Sequence, residues 1–392
     1  MKNTYEHISF KPVWEINEPV SNLLGQCYAY IQAIKKTPIR PDYLRQLLRV
    51  FLNKGALATT AIEGNTLSER ELESIQGGMD LPPSKKYLQQ EVENILDAFN
   101  TIFEDLSNPV LETKAAVSAG LIKNFHAMVG KDIGEAFAAT PGVFRTNNVV
   151  VGSLYRPPSF PQVENMIEKL CTWLKTQFHY QPGQRFNEAL IQAIVTHVYI
   201  AWIHPFSDGN GRTARLLEFY LLLRAGVPQI ASHILSNHYN ETRTDYYRRL
   251  QEATETGNLT NFFLYALVGF RDGLEGVLEV IHKNQIDLTW SNYVHDTIES
   301  LSDEKNEKVL ERLRQLAYYI PGDKYLSFDE IKTVHPKVIR HYQKLSAMTL
   351  QRDLDILINL NLLTQEKKKF RTQKETLQMF IPASVAEIQQ SY

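Results

Sequence analysis

The residue types most suited to chemistry stand together in one stretch, His204 to Arg215. Its order is His-Pro-Phe-Ser-Asp-Gly-Asn-Gly-Arg-Thr-Ala-Arg. Near neutral pH, His204 can accept the proton of an attacking hydroxyl, because the ordinary pKa of histidine is ~6.5. Asp208 offers the kind of oxygen ligand that Mg²⁺ takes alongside substrate phosphates. The stretch therefore predicts chemistry on a phosphate, with a base and a metal carboxylate beside it.

Two helices should position this stretch. Residues 187–203 are apolar over a length typical of a buried helix, and Pro205 should end that helix. A second apolar run, 216–223, predicts a helix that begins near Asn210 or Gly211. The unpaired N–H groups at a helix start, together with the positive end of its dipole, make an anion site.

The residues at the start of the second helix fit an anion. Gly209 and Gly211 let the backbone come close to a ligand. Arg212 and Arg215 are three residues apart, so they share a helix face and can both reach a polyphosphate. Positive side chains at a helix start oppose the macrodipole, which suggests that they serve an anion. Any one of these residues alone is explained more simply by a structural role, but the combination favours function.

Two common phosphate motifs are excluded. Gly209-x-Gly211-x-x-Ala214 fits the dinucleotide fingerprint formally, but it follows a predicted helix where that motif needs a strand. No G-x-x-x-x-G-K-[ST] sequence occurs in the chain, which excludes a P-loop.

The stretch matches, without a departure, the H-x-F-x-[DE]-G-N-G-R-x-x-R signature of Fic-domain proteins (filamentation induced by cAMP). The chain resembles that family over most of its length. The resemblance implies a nucleotidyltransferase that moves AMP from ATP to a Ser, Thr or Tyr hydroxyl of a target protein (AMPylation), with Mg²⁺. It implies His204 as the catalytic base and Asp208 as the metal ligand. The implied ATP-binding residues are Gly209, Asn210, Gly211, Arg212 and Arg215.

A second stretch, Thr59 to Gly64, has the order Thr-Thr-Ala-Ile-Glu-Gly at the end of a predicted helix. A carboxylate there meets the negative end of the helix dipole, so Glu63 needs a cation. The stretch is similar to the inhibitory motif of the Fic family, [ST]-x-x-x-E-[GN]. The resemblance implies that Glu63 pairs with Arg215 and autoinhibits the site. An ordinary helix end is the alternative.

Two more regions resemble parts of the family. Residues 149–155 predict a β-hairpin with a tight turn at 152–153, and in Fic proteins a hairpin flap here holds the target segment. A small surface hairpin is the alternative. Tyr246 and Tyr247 resemble the lining of the adenine pocket, where aromatic rings stack on a base, although an aromatic core is the competing interpretation. Thr254 stands where many relatives have an asparagine.

The expected fold is mainly α: a Fic-like helical core with a small β-hairpin flap, an N-terminal helical region and a C-terminal winged-helix-like domain. The N-terminal region, which carries the inhibitory motif, is expected over 1–109 and the core over 110–275. A linker helix and the winged-helix-like domain are expected over 276–392.

The evidence for a winged helix is the order of elements near the C-terminus. Helices predicted over 309–320, 327–334 and 349–360 precede a strand pair with a basic turn at 367–369, an order typical of a winged helix. Asp353 and Asp355 in the presumed recognition helix oppose contact with phosphate. DNA binding is therefore left open, with a small interaction domain as the alternative.

Composition is that of an ordinary soluble protein: 392 residues, 43% hydrophobic, 22% charged, with a formal net charge of −2. This balance does not indicate wholesale binding to nucleic acid or to membranes. The N-terminus lacks the apolar region of a signal peptide, and no run of about eighteen apolar residues occurs. Two cysteines do not make a disulfide framework, which favours a reducing cytoplasm.

Other functions stay open from the sequence alone. The same site could remove AMP from modified proteins, or the chain could be a DNA-bound regulator whose Fic core is vestigial. The intact His204 and Asp208 speak against a vestigial core. Self-modification and a homodimer are also left open.

Overall fold

The computed structural model describes residues 5–108, 117–152, 155–180 and 185–378. The chain divides into two compact units, Met1–Glu279 and Val280–Tyr392. The predicted N-terminal region and core fall in the first unit. The predicted linker and winged-helix-like domain fall almost entirely in the second. The finer division into three domains stays a prediction.

The described part of the first unit is built mainly from helices, and some of them start at a capping side chain. The Asn17 side chain accepts a hydrogen bond from the Val20 N–H at the first helix start, and Ser68 with Glu71 forms a capping box at the start of the third. In chain order the helices are α1 (Glu18–Lys36), α2 (Pro41–Ala61), α3 (Glu69–Gln76), α4 (Lys86–Ser107), α5 (Ala119–Val129), α6 (Val163–Gln177), α7 (Arg185–Ile203), α8 (Asn210–Arg224), α9 (Ile234–Glu241), α10 (Arg243–Thr256) and α11 (Thr260–Glu299).

Helices α7 and α8 form the centre of this unit. α7 is buried along almost its whole length, which confirms the predicted buried helix. By length and hydropathy alone α7 could cross a membrane, but 83% of its apolar stretch is buried within the protein, as in a core helix. α8 begins at Asn210, as the sequence predicts, and most of its residues are buried.

His233 packs against α2 at a point where only glycine fits. A Cβ atom on Gly55 would lie 2.6 Å from the Cβ of His233. Burial lowers the pKa of His233 from 6.5 to about 3, and the charge of Lys54 adds to that effect. The unfolded chain therefore binds a proton at this histidine at a higher pH than the folded chain does.

Acidification should consequently destabilise this unit. The contribution of His233 to the free energy of unfolding is fully present above pH 6.5. It is lost as the pH falls from 6.5 toward 3, because over this range the histidine binds a proton in the unfolded chain but not in the folded one. Melting temperatures measured across this window should fall. The fall should be smaller in His233→Leu, and an equal fall in both proteins would contradict the assignment.

The predicted β-hairpin at 149–155 is smaller than expected. Among the described residues it is reduced to one antiparallel bridge between Val151 and Tyr155, and residues 153–154 lie outside the described part. The Tyr155 hydroxyl donates to the Trp202 carbonyl at 2.7 Å. The segment thus depends on the helices beside it, since an isolated two-stranded ribbon is barely stable in water.

The second unit has the element order of a winged helix. Its three-stranded antiparallel sheet has the order β1-β3-β2, with Leu326 opposite Phe370 and Leu363 opposite Thr372. The linker helix predicted from 276 is the later part of α11. The elements are α12 (Glu307–Tyr319), β1 (Leu326–Ser327), α13 (Phe328–Lys332), α14 (Pro336–Tyr342), α15 (Ala347–Asn359), β2 (Leu363–Glu366), β3 (Lys369–Thr372) and α16 (Glu375–Gln378).

Two expectations about this unit were wrong. The three predicted helices omit α14, a helix of only 7 residues that begins at Pro336, a position where proline is favoured. Asp353 does not oppose phosphate, because it is fully buried. Its carboxylate accepts two hydrogen bonds from Arg312, at 2.5 and 3.1 Å, and one from the Tyr342 hydroxyl at 2.8 Å.

Asp353→Ala should destabilise the second unit. The change leaves Arg312 without its carboxylate in the interior, and breaking a buried ion pair typically costs ~3–5 kcal/mol. Asp355→Ala is the matched control, because Asp355 is exposed on the same helix and such changes usually stay within ~0.5 kcal/mol. Thermal unfolding of the full chain checks this, and similar losses in the two variants would contradict the buried pair.

Candidate functional site

His204 lies at the end of α7 in a strained backbone conformation. Its φ is 50°, in the left-handed region that non-glycine residues seldom adopt. Arg145 holds the turn: its Nε donates to the His204 carbonyl at 2.8 Å, and its backbone N–H donates to the Pro205 carbonyl at 2.9 Å. The remaining guanidinium nitrogens donate to the carbonyls of Asn147 and Pro158. The direction of the imidazole is therefore set by a buried clamp.

The imidazole of His204 is neutral at neutral pH. Burial lowers its pKa to about 4, and Arg145 adds to the effect, while the Ala201 carbonyl and the carboxylates of Glu63 and Asp208 partly oppose it. A neutral imidazole can accept a proton. Negative charge that binds nearby would raise this pKa toward the working pH, where a general base is most effective.

The loop after His204 is fixed by two residues of the motif. The Asn210 side chain accepts from the Phe206 N–H and donates to the Phe206 carbonyl, both at 2.9 Å. Gly209 has a φ of 76°, and a Cβ there would lie 2.9 Å from the Phe137 ring, so only glycine is accommodated. The Asn210 side chain therefore shapes the loop, and any contact that it makes with phosphate must come through its backbone.

Asp208 lies at the open side of this loop. Its carboxylate accepts from the Gly209 N–H at 2.5 Å, from the Ala138 N–H at 3.2 Å and from Arg212 at 3.0 Å. About 30% of the side chain is exposed. Among the described residues there is no cluster of three or more His, Cys, Asp or Glu side chains. This arrangement fits a Mg²⁺ ion that takes one protein carboxylate and completes its shell with phosphate and water.

The start of α8 is occupied by the carboxylate of Glu63. Arg215 donates to it at 2.7 Å and to the Thr59 carbonyl at 2.8 Å. The Arg215 side chain is 1% exposed and that of Glu63 is 32% exposed. A Cβ on Gly211 would lie 2.0 Å from the Glu63 carboxylate. Gly211 is thus required for an anion to approach this helix start.

The charges of this pair stabilise each other. Burial alone would raise the pKa of Glu63, but the Arg215 guanidinium outweighs it and lowers that pKa. Burial alone would lower the pKa of Arg215, but Glu63 outweighs it and raises that pKa. Both groups are therefore ionised at neutral pH.

Arg212 lies between two carboxylates, one of which the sequence did not suggest. It pairs with Asp208 at 3.0 Å and, more closely, with Glu91 of α4. The other Glu91 oxygen accepts from the Asn65 side chain at 2.8 Å, and Asn65 follows Glu63 by two residues. Glu91 therefore connects the turn that follows α2 to the arginine that faces Asp208.

His126 of α5 is a second residue that the sequence did not suggest. Its ring stacks on Phe206 with centroids 3.6 Å apart. The Gly142 N–H donates to Nδ1 at 2.9 Å, so Nε2 carries the hydrogen and donates to the Asp208 carbonyl at 2.9 Å. His126 thereby holds the backbone at the proposed metal ligand.

The two candidate adenine residues are placed differently. Tyr246 is 3% exposed and its hydroxyl lies 2.8 Å from His197 Nε2, in an aromatic core that includes Tyr239. Tyr247 is 45% exposed and donates to the Ile62 carbonyl at 3.3 Å, next to Glu63 in the chain. The structure favours a core role for Tyr246 and leaves the ring of Tyr247 available for stacking. Thr254 accepts a hydrogen bond from Trp202.

The sequence pattern of the Fic/DOC family matches residues 116–222, which include the whole stretch from His204 to Arg215. Residues 116–222 form a Fic/DOC domain. Protein adenylyltransferase fic-1 of Caenorhabditis elegans is 30% identical over 223 residues, 57% of this chain and 40% of that protein. Protein adenylyltransferase Fic of Nematostella vectensis is 27% identical over 208 residues, 53% of this chain and 44% of that protein. The chain thus spans less than half the length of these curated relatives.

Solved structures support the Fic-like fold. A Fic family protein from Desulfovibrio desulfuricans G20 matches with a TM-score of 0.55 at 18% identity, over 93% of this chain and 98% of that chain. Fic-1 of C. elegans (residues 134–508) matches with a TM-score of 0.54 at 24% identity, over 68% of this chain and 73% of that chain. The mainly helical Fic-like fold is therefore confirmed.

Glu91→Gln should weaken the response of this Fic site to Mg²⁺. Without the Glu91 charge, Arg212 should turn fully to Asp208 and compete with the metal; loss of such supporting partners typically costs ~10–100-fold in metal affinity or activity. We expect the dissociation constant for Mg²⁺, measured by isothermal titration calorimetry, to rise by about tenfold. Glu104→Gln, an exposed change on the same helix, is the control. An unchanged dissociation constant in Glu91→Gln would contradict this role.

Proposed function

We propose that this Fic protein is a protein adenylyltransferase, which transfers AMP from ATP to a Ser, Thr or Tyr hydroxyl of a target protein and is autoinhibited by Glu63. The observation that carries the proposal is the occupied anion site, in which a carboxylate binds Arg215 beside a neutral His204. The names of the curated relatives support it. Because the chain covers less than half of those proteins, the activity itself is a proposal.

The proposed reaction assigns one role to each group at the site. His204 accepts the proton of the target hydroxyl, and the hydroxyl oxygen forms a bond to the α-phosphorus of ATP. The bond from that phosphorus to the bridging oxygen of the β-phosphate breaks, and pyrophosphate leaves. Arg212 and Arg215 hold the β and γ phosphates in line, and the amides at the start of α8 stabilise the charge that develops.

Asp208 is the residue that would hold Mg²⁺, which would supply neutralisation of the phosphate charge. His126 and the Gly209 N–H keep the carboxylate and its backbone in place. The Arg212 guanidinium forms an ion pair with the same carboxylate. Tyr247 is the residue that we propose to stack on adenine, since its ring is exposed.

We propose that the target peptide binds along the segment at Val151 and Tyr155. Val143 and Val150 nearby are about half exposed, and an extended peptide that adds to such a segment gains main-chain hydrogen bonds without a strict sequence requirement. Such binding would place a target hydroxyl near His204 while leaving the choice of target to other contacts.

Two labels in ATP test the reaction type. The variant Glu63→Gly is incubated with Mg²⁺ and a cell extract whose own kinases have been inactivated by heat, with ATP labelled either at the α-phosphate or at the γ-phosphate. AMP transfer predicts protein-bound label from the α position alone. Label from the γ position would contradict the proposal, because it indicates transfer of a phosphate.

A further inference from the structure

The second unit carries an uneven distribution of charge. From Lys332 to Lys374 the sequence has ten Lys and Arg residues and three Asp and Glu residues, whereas 280–331 has six and ten respectively. One of the three acidic residues is Asp353, which is buried and paired with Arg312. Lys332, Arg371 and Lys374 are paired with Asp329, Glu375 and Asp287. The remaining basic charge of the region lies on α14, on α15 and in the β2–β3 turn.

Helices α14 and α15 have the form of a helix-turn-helix. Four residues, 343–346, join them, which is the connection length typical of that motif. The buried contacts of Asp353 with Arg312 and Tyr342 tie α15 to α12 and α14. The face of α15 that carries Asp353 is therefore buried. The opposite face is exposed, and Met348 near the start of the helix is 82% exposed.

The exposed side of α15 carries groups that can contact base edges and phosphates. It includes Gln351 and Arg352, which are both exposed. The charge of Asp355 is partly satisfied by the Gln351 side chain, which donates to it at 2.9 Å. Lys337 and Arg340 are exposed as well. They lie on α14, the helix that precedes α15, and in helix-turn-helix proteins this first helix crosses the DNA backbone.

The turn between β2 and β3 is built from lysines at a conformational cost. Lys367 and Lys368 have φ values of 46° and 63°, where a two-residue hairpin turn favours Asn and Gly. Lys369 follows at the first position of β3, and all three lysines are exposed. Residues other than glycine pay a conformational cost at positive φ, and such a cost often marks a functional position. The feature that these two residues share is a positive charge.

We propose that the second unit binds duplex DNA, with the N-terminal part of α15 in the major groove and the lysines of the β2–β3 turn on the phosphate backbone. The major groove of DNA admits an α-helix, and the exposed lysines of the β2–β3 turn can neutralise phosphates beside the groove. This binding is a function separate from AMP transfer. It uses residues of the second unit alone.

The test measures fluorescence anisotropy of a labelled random-sequence duplex with the full-length protein. Affinity should fall steeply between about 50 mM and about 200 mM salt, because each phosphate contact releases counterions. In the variant Lys367→Gln/Lys368→Gln/Lys369→Gln, the slope of log affinity against log salt should decrease by about three. Lys283→Gln/Lys305→Gln/Lys308→Gln makes the same change of charge outside this face and should leave the slope unchanged.

Several results would overturn the proposal. They are absence of duplex binding at low salt, equal losses in the two triple variants, or tighter binding to single-stranded DNA or to an RNA hairpin than to the duplex. AMP transfer is measured on the same proteins and should be unaffected by either triple variant. A failure of DNA binding is thereby distinguished from a failure of the transferase proposal.

Discussion

Replacement of His204 by alanine is expected to lower AMP transfer by ~10²–10⁴-fold, the usual contribution of a positioned general base. The reason lies in the geometry, since the imidazole is neutral and Arg145 holds the His204 backbone from which it projects. Nucleotide binding should persist, because the arginines and the start of α8 remain. The variant is made in a chain with Glu63→Gly, so that the reference activity is high enough to measure a loss.

The control for this change is His179→Ala, which removes an exposed histidine far from the motif in sequence. It should transfer AMP at the reference rate. Nucleotide binding by each protein is measured by isothermal titration calorimetry. Undiminished transfer by the His204 variant would refute its role as the base, and a loss of nucleotide binding would show that the residue supports the site rather than the chemistry.

Replacement of Glu63 by glycine is expected to raise AMP transfer by about 10²-fold. The carboxylate lies 2.7 Å from Arg215 and at the start of α8, where we place the γ-phosphate. ATP can therefore bind only in a displaced position, and a displacement of ~1 Å at the reacting atoms can cost on the order of 10²-fold in rate. Removal of the carboxylate frees Arg215 for the nucleotide.

Two companions separate inhibition from an effect on folding. Glu63→Gln keeps the shape of the side chain but not its charge, and should give intermediate activation. Glu63→Gly combined with Arg215→Ala should stay inactive, because the phosphate contact is then lost. If Glu63→Gly is no more active than the unaltered protein, the turn after α2 is only structural and autoinhibition fails as an explanation.

The sequence located the centre of the site because its residues are close together in the chain. A proline that ends one helix and glycines that open the next are local signals, and α8 begins at the predicted Asn210. The Glu63 to Arg215 ion pair joins residues far apart in the chain. It was predicted because a carboxylate at a helix end requires a cation and because the stretch resembles a known motif.

The residues that support the site were not predictable in this way. Arg145, Glu91 and His126 come from three separate segments. The residues around Arg145 resemble the flap region of the family, but nothing there indicates its contact with His204, and Glu91 and His126 have ordinary local sequences around them. Their roles appear only when folding brings them to His204, Arg212 and Asp208. Nothing in the spacing of single polar residues distinguishes such a partner from an exposed side chain.

Asp353 shows the converse limitation. Its charge indicated an exposed position, since aspartate is seldom fully buried without a partner. The partner is Arg312, 41 residues earlier, so no local pattern could reveal the pair. Tyr246 is similar, because its resemblance to the adenine-pocket lining of the family suggested a contact with the ligand, while its hydroxyl lies 2.8 Å from His197 Nε2 in the core.

The most direct test of the transferase proposal is the intact mass of the protein products after incubation with ATP and Mg²⁺. Full-length Glu63→Gly is compared with Glu63→Gly combined with His204→Ala, in the presence of a candidate target and alone. The proposal predicts that Glu63→Gly yields protein whose mass has increased by one or more AMP groups, on the target or on itself, and that the double variant yields none. Equal modification by the two proteins, or a mass increase that corresponds to phosphate, would contradict the proposed function.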